Sequence, residues 1–149
     1  MKICLTSSSG GHFNQLLKLL PVLKGHGLFF VTPSSHMRNV LNNYKMYFVE
    51  NPGRNPLKFI THSIKSLFIL LKERPNVIIT TGAGLVVPIC FMGKFLFRSK
   101  IIFIETFSRI DTPSLTGRLV FHISDLFIIQ WKQLKKFYGD KAVYGGQLL

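Results

Sequence analysis

Seven short runs of β-branched and aromatic residues recur along this chain, separated by stretches whose apolar residues follow helical spacing, and that alternation restricts the fold more than any other feature. The runs fall at residues 2–6, 28–32, 46–49, 77–80, 101–105, 126–130 and 142–144. Most are continuously apolar, as strands buried on both faces are. The expectation is an α/β fold over residues 1–149: one Rossmann-like domain with a parallel sheet and helices on both faces.

The intervening stretches carry their own start and stop signals. Phe13, Leu16, Leu17 and Leu20 sit at i, i+3, i+4 and i+7, predicting a helix over residues 11–24. Met37, Val40, Leu41 and Tyr44 repeat that spacing after Ser34 and Ser35, which can cap a second helix. Asn55-Pro56 opens a third that runs to Glu73, where Arg74-Pro75 stops it. A fourth is expected over residues 85–97, and a fifth from Asp111-Thr112-Pro113 to Ile123.

Charge narrows the partner. Lys and Arg number 19 against 6 Asp and Glu, a net charge of +13, so the partner should be anionic. The basic residues interleave with large apolar ones, as in Lys94-Phe95-Leu96-Phe97-Arg98, a mixture that favours lipid over nucleic acid. In the third helix Lys58, Lys65 and Lys72 stand at heptad spacing beside surplus apolar residues including Phe68. In the fourth, Phe91, Lys94, Phe95 and Arg98 form a similar set. Both sets are expected to face a membrane surface, or else to be core helices with a solvated flank. The longest apolar run is too short to span a bilayer and carries Lys94, so association should be peripheral, at the cytoplasmic face. Cys4 and Cys90 lack metal or CxxC spacing and are expected in the core as thiols; neither metal nor cofactor is implied.

Three loops follow strands. Ser7-Ser8-Ser9-Gly10-Gly11-His12 joins the first strand to the first helix, where backbone N–H groups of Ser9, Gly10 and Gly11 can approach an anion. It is neither G-x-G-x-x-G nor a Walker A loop, which disfavours dinucleotide or ATP; a plain tight turn is the alternative. His12, in the first helical turn, suits phosphate contact or base catalysis. Thr80-Thr81-Gly82-Ala83-Gly84 places Gly82, Ala83 and Gly84 at a second strand end, and Ile104-Glu105-Thr106-Phe107-Ser108-Arg109 supplies Glu105, Ser108 and Arg109 at a third. Glu105 there can be a general base or hydroxyl clamp beside the crevice, or the partner of Arg109.

Taken in order, Ser9-Gly10-Gly11-His12, Thr80-Thr81-Gly82-Ala83-Gly84, Ile104-Glu105-Thr106-Phe107-Ser108-Arg109, Ser114-Leu115-Thr116-Gly117-Arg118-Leu119 and Asp125-Leu126-Phe127 leading to Gln130-Trp131 carry a resemblance. The chain resembles the membrane-anchoring subunit of the two-subunit N-acetylglucosaminyltransferase of dolichol-linked oligosaccharide synthesis, and still more its bacterial capsule and exopolysaccharide relatives. It is also similar to the acceptor half of the GT-B peptidoglycan N-acetylglucosaminyltransferase.

The resemblance implies half of a GT-B enzyme that binds a polyprenyl-pyrophosphate-linked saccharide acceptor and needs a UDP-sugar-binding subunit as a separate chain. It implies that Gly10, Gly11 and His12 contact the acceptor pyrophosphate or the donor phosphates, that Glu105 lies near the acceptor sugar, and that Gly145, Gly146, Gln147, Leu148 and Leu149 dock the partner. The amino-terminal membrane segment of eukaryotic members is not expected here. A self-sufficient small Rossmann-type nucleotide- or phosphate-binding enzyme and a basic nucleic-acid-binding module remain the alternatives.

Overall fold

In a computed structural model, which describes residues 1–33, 35–38, 41–53 and 55–148, the expected strands all form. They are β1 (Lys2–Thr6), β2 (Gly27–Thr32), β3 (Lys45–Phe48), β4 (Val77–Thr80), β5 (Lys100–Ile104), β6 (Leu126–Ile129) and β7 (Ala142–Tyr144). Each lies within about one residue of its sequence signal, as expected where the strand is the buried apolar run itself. They pair entirely in parallel, in the order β3-β2-β1-β4-β5-β6-β7.

Among the described residues, five α-helices accompany them: α1 (Gly11–Leu17), α2 (Pro56–Glu73), α3 (Val86–Phe97), α4 (Leu115–Phe121) and α5 (Lys135–Tyr138). The two sheet faces are covered unequally. Cys4, Phe29, Val31, Ile78, Ile101, Phe103, Phe127 and Ile129 pack against α2 to α5. On the opposite face Ile3, Leu5, Phe30, Ile79 and Ile104 meet α1 and the connections around β2. Cys4 and Cys90 lie in the first of these cores as free thiols, and burial pushes the Cys90 thiol up to about 12.

The helix signals fared less evenly. The Asn55 side chain accepts from the Leu57 and Lys58 N–H groups, and α2 begins and ends as its capping residues predict. The first helix stops at Leu17 rather than near residue 24. Pro21 has no N–H, and its ring opposes the carbonyl of Leu17, so the chain continues as a 3-10 turn, Leu20–Leu23. Where a second helix was expected, a 3-10 turn spans Ser35–Arg38; Ser34 and Val40 lie outside the described residues. The fifth expected helix starts later than Asp111, because the Ser114 hydroxyl accepts from Gly117 N–H and fixes the first turn there.

The strand order sets the place for a ligand. From β1 the chain steps outward through β2 to β3. α2 then returns it to β4, on the other side of β1, and β5 to β7 continue away from it. Connections thus diverge from the β1–β4 pair, and the carboxyl ends of those two strands flank the topological switch point.

Candidate functional site at the carboxyl edge of the sheet

The loops after β1 and β4 are tied together by a reciprocal pair of bonds. His12 Nδ1 lies 2.7 Å from the Thr81 carbonyl oxygen, and the Thr81 hydroxyl donates to the His12 carbonyl at 2.7 Å. A carbonyl only accepts, so Nδ1 carries the hydrogen and the Nε2 of a neutral ring keeps its lone pair. Nε2 has no hydrogen-bond partner among the described residues.

Both loops adopt backbone that side chains disfavour. Gly10 has φ +76° and Gly82 φ +104°, and between the glycines of the second loop Ala83 is held at φ +83°. A non-glycine residue there costs on the order of 1 kcal/mol and persists only where its surroundings over-determine it. Ser9, Gly10, Gly11 and Gly84 are exposed, His12 and Ala83 half-buried, and Gly82 is buried beside the imidazole. The structure therefore brings Ser9, Gly10, Gly11, His12, Gly82, Ala83 and Gly84 to one edge.

Glu105 occupies a different setting from the one its sequence position suggested. It is 0% exposed, and its carboxylate accepts from Thr106 N–H at 3.1 Å, Ser114 N–H at 3.2 Å and the Tyr138 hydroxyl at 2.5 Å. Burial and the adjoining Glu105 carboxylate push the Tyr138 phenol upward, so it stays a donor. Gly117 closes the enclosure: a Cβ there would run into Glu105 Oε2, the Tyr138 hydroxyl and the Ser114 hydroxyl. Glu105 is thus not an open carboxylate beside the crevice, nor does it pair with Arg109 among the described residues. The 105–114 loop folds back over it, leaving Ser108 and Arg109 exposed.

A second buried network braces the same loop. Gln15, on α1, accepts from Gln130 Nε2 at 2.6 Å and from Phe107 N–H at 3.2 Å; Gln130 also donates to the Glu105 carbonyl at 2.9 Å. Trp131 Nε1–H donates to the Phe107 carbonyl at 2.7 Å. The carboxyl-terminal tail joins in, since Leu148 N–H donates to Gln130 Oε1 at 2.7 Å. Gly145, Gly146 and Leu148 pack on their own sheet around a cavity of about 150 Å³, with Gln147 exposed; Leu149 lies outside the described residues. Sequence reasoning missed Gln15, Gly117 and Tyr138 as members of the site. Only Gly117 left a signal, a glycine in an amphipathic helix, where it costs stability unless close packing demands it.

The basic residues divide. α2 presents Leu57, Ile60, Ile64, Phe68 and Leu71 at i, i+3, i+7, i+11 and i+14 to solvent, with Leu57 72% and Phe68 66% exposed. Its buried face is a separate stripe of His62, Ser66, Ile69, Leu70 and Glu73. Lys58, Lys65 and Lys72 flank the exposed stripe, and Phe95 and Arg98 are exposed at the end of α3. Two residues expected on that outer face are placed differently. Lys94 is bound to Asp125 at 2.7 Å, and Phe91 is half-buried in an apolar groove with Phe59, Val87 and Met92. No helix among the described residues is long and apolar enough to cross a membrane.

Residues 38–148 match the profile of the family described as "Oligosaccharide biosynthesis protein Alg14 like". The UDP-N-acetylglucosamine transferase subunit ALG14 of Homo sapiens is 28% identical, the alignment covering 100% of this chain and 83% of that protein. Its Saccharomyces cerevisiae counterpart is 25% identical, over 100% and 77%. Among solved structures, Acinetobacter baumannii MurG superposes with a TM-score of 0.74 at 12% identity, covering 89% of this chain and 42% of MurG. A Methanocaldococcus jannaschii UDP-GlcNAc 2-epimerase gives 0.76 at 14% identity, over 97% and 46%. The chain thus shares its fold with part of each of these proteins and spans less than half the length of either.

Proposed function

Because this chain belongs to the Alg14-like family of oligosaccharide biosynthesis proteins, we propose that it is the acceptor-binding subunit of a heteromeric glycosyltransferase. A separate subunit supplies the UDP-sugar, and the acceptor is a saccharide linked to a polyprenyl pyrophosphate in bacterial capsule or exopolysaccharide synthesis. The chain sits peripherally on the cytoplasmic face of the membrane through the apolar stripe of α2 and its lysine flank, with Phe95 and Arg98 of α3 alongside.

One observation carries this reading. His12, fixed through Nδ1 to Thr81, keeps Nε2 unpartnered between two glycine loops at the sheet's switch point, in a fold that is half of the proteins it resembles. In the proposed step the acceptor hydroxyl oxygen bonds to the anomeric carbon of the donor sugar as the bond from that carbon to the diphosphate breaks. The hydroxyl proton passes to His12 Nε2, and UDP departs with the bonding electrons. Stabilising the leaving diphosphate falls mainly to the partner. Glu105, enclosed by its donors, is a positioning residue that shapes the 105–114 loop.

The test is co-expression with a UDP-sugar-binding glycosyltransferase chain, co-purification, and a transfer assay onto a polyprenyl-pyrophosphate-linked saccharide. Transfer by the pair and none by the isolated chain is the expected result. Equal turnover by the chain alone overturns the heteromeric reading.

A further inference from the structure

A second cleft opens at the carboxyl edge, away from the glycine loops. It is an open depression of about 540 Å³, lined by Pro33 and Ser35 beyond β2, by Phe48, Val49, Glu50 and Asn51 at and beyond the end of β3, and by Lys58 and Lys65 of α2. The two lysines have no ion-pair partner among the described residues, unlike Lys2, Lys45, Lys94 and Lys100. Glu50, the single carboxylate of the cleft, is exposed and outnumbered.

On the next residues of the same helix the chemistry changes. Phe59 and Ile60, with Gly53, Asn55 and Pro56, line an apolar hollow of about 350 Å³, and the exposed stripe of α2 runs on from Ile60 through Ile64 and Phe68. A boundary between paired cations and apolar surface therefore runs along the first turns of α2. It fits an amphiphile with a compact, strongly anionic head, whose apolar tail the side chains of Phe59 and Ile60 can cover.

We propose that this cleft seats the diphosphate of a membrane-resident polyprenyl diphosphate, with Lys58 and Lys65 holding the phosphates and the isoprenoid leaving across Phe59 and Ile60 into the lipid. The inference rests on the acceptor-binding reading and gives the lipid head a place distinct from the Gly10-Gly11-His12 loop. Sheet order supports the spacing. β3 lies two strands from β1 in the order β3-β2-β1, so the carboxyl ends of those two strands lie about 10 Å apart within the sheet at the usual strand spacing. A pyranose ring and a diphosphate together match that in-sheet span, with the sugar directed toward the β1 loop and the phosphates at the lysines.

The measurement is co-sedimentation of the full chain with phosphatidylcholine vesicles, plain or doped with geranylgeranyl diphosphate, at fixed ionic strength. Wild type should prefer the doped vesicles, and inorganic pyrophosphate should compete. The Lys58→Gln/Lys65→Gln pair should weaken that preference by tenfold or more, since each removes a charge-assisted contact worth about a factor of ten. A charge-matched Lys18→Gln/Lys24→Gln pair, exposed and away from α2, should change it less than about threefold. Glu50→Gln should strengthen it, because a like charge leaves the cleft. Unaltered thermal unfolding of each variant establishes that the fold is retained. If the Lys58/Lys65 pair binds like wild type, or falls no further than the charge-matched pair, the cleft assignment is overturned although acceptor binding stands. If wild type shows no preference for the doped vesicles, the acceptor reading falls, and this inference with it.

Discussion

The two edges of the sheet use charge in opposite ways. At the amino edge, carboxylates collect cations: Glu73 pairs with Lys2 at 2.7 Å and Lys45 at 2.5 Å and accepts from the Tyr47 hydroxyl, while Asp125 pairs with Lys94 at 2.7 Å and Lys100 at 3.1 Å. At the carboxyl edge, the buried carboxylate of Glu105 meets only neutral donors, and Lys58 and Lys65 stand without a carboxylate partner among the described residues. In a chain with 6 acidic residues against 19 basic ones, where the acids go decides which cations are used up. The amino edge spends its acids on holding strand starts together. The carboxyl edge leaves the Lys58 and Lys65 amines and one imidazole nitrogen without a partner among the described residues.

Substitutions that cross this division should break it, starting with the largest loss of stability. Gly117→Ala forces a methyl into the Glu105, Tyr138 and Ser114 contacts and should cost about 3 kcal/mol in denaturant unfolding, through overpacking and lost buried hydrogen bonds. A cost below about 1 kcal/mol would mean that the enclosure is loose.

Glu73→Gln should cost about 2 kcal/mol at neutral pH, a figure reduced by the solvent exposure of both lysines. Burial pushes the Glu73 carboxyl upward, but hydrogen bonds from Lys2, Lys45 and Tyr47 more than reverse this and hold it at about 2, against an ordinary 4.5. A depressed folded-state value means that the contribution is full above about pH 4.5 and is lost as pH falls toward 2. The difference between wild type and Glu73→Gln should shrink across that window; a difference unchanged at pH 2.5 would contradict the ion-pair account.

His12→Ala removes one partly buried hydrogen bond and should cost about 1 kcal/mol, yet lower transfer by the assembled enzyme about 100-fold. His12→Asn restores a donor toward Thr81 but no base, so stability should recover while transfer does not. Recovery of both would make His12 a positioning residue. Phe68→Ser, on the solvent side of α2, should alter stability by less than about 0.5 kcal/mol while weakening vesicle binding several-fold. Unchanged vesicle binding would remove this stripe from the membrane face.

The strands were legible because a strand buried on both faces is written as an unbroken apolar run, as in Val77–Thr80. Helix α2 was legible because Asn55-Pro56 and Arg74-Pro75 mark its ends. The first helix was overread because apolar spacing continues through Pro21, where the backbone does not. The loops of Gly10, Gly11, His12 and Gly82 could be located from their glycines and their place after β1 and β4, whereas the role of Glu105 could not.

By itself, then, the sequence determined the parallel α/β layering, the strand positions, the basic surplus and the loops that border the switch point, since these are written in local pattern and in chain order. Tertiary structure alone decided which polar groups are enclosed and which stay available. The enclosure of Glu105 depends on Ser114, Gly117 and Tyr138, residues 9, 12 and 33 positions away, and the capture of Lys94 depends on Asp125, 31 positions on. Burial and pairing across such separations arise only when the chain closes on itself, and they determine whether a charged side chain serves the scaffold or a ligand.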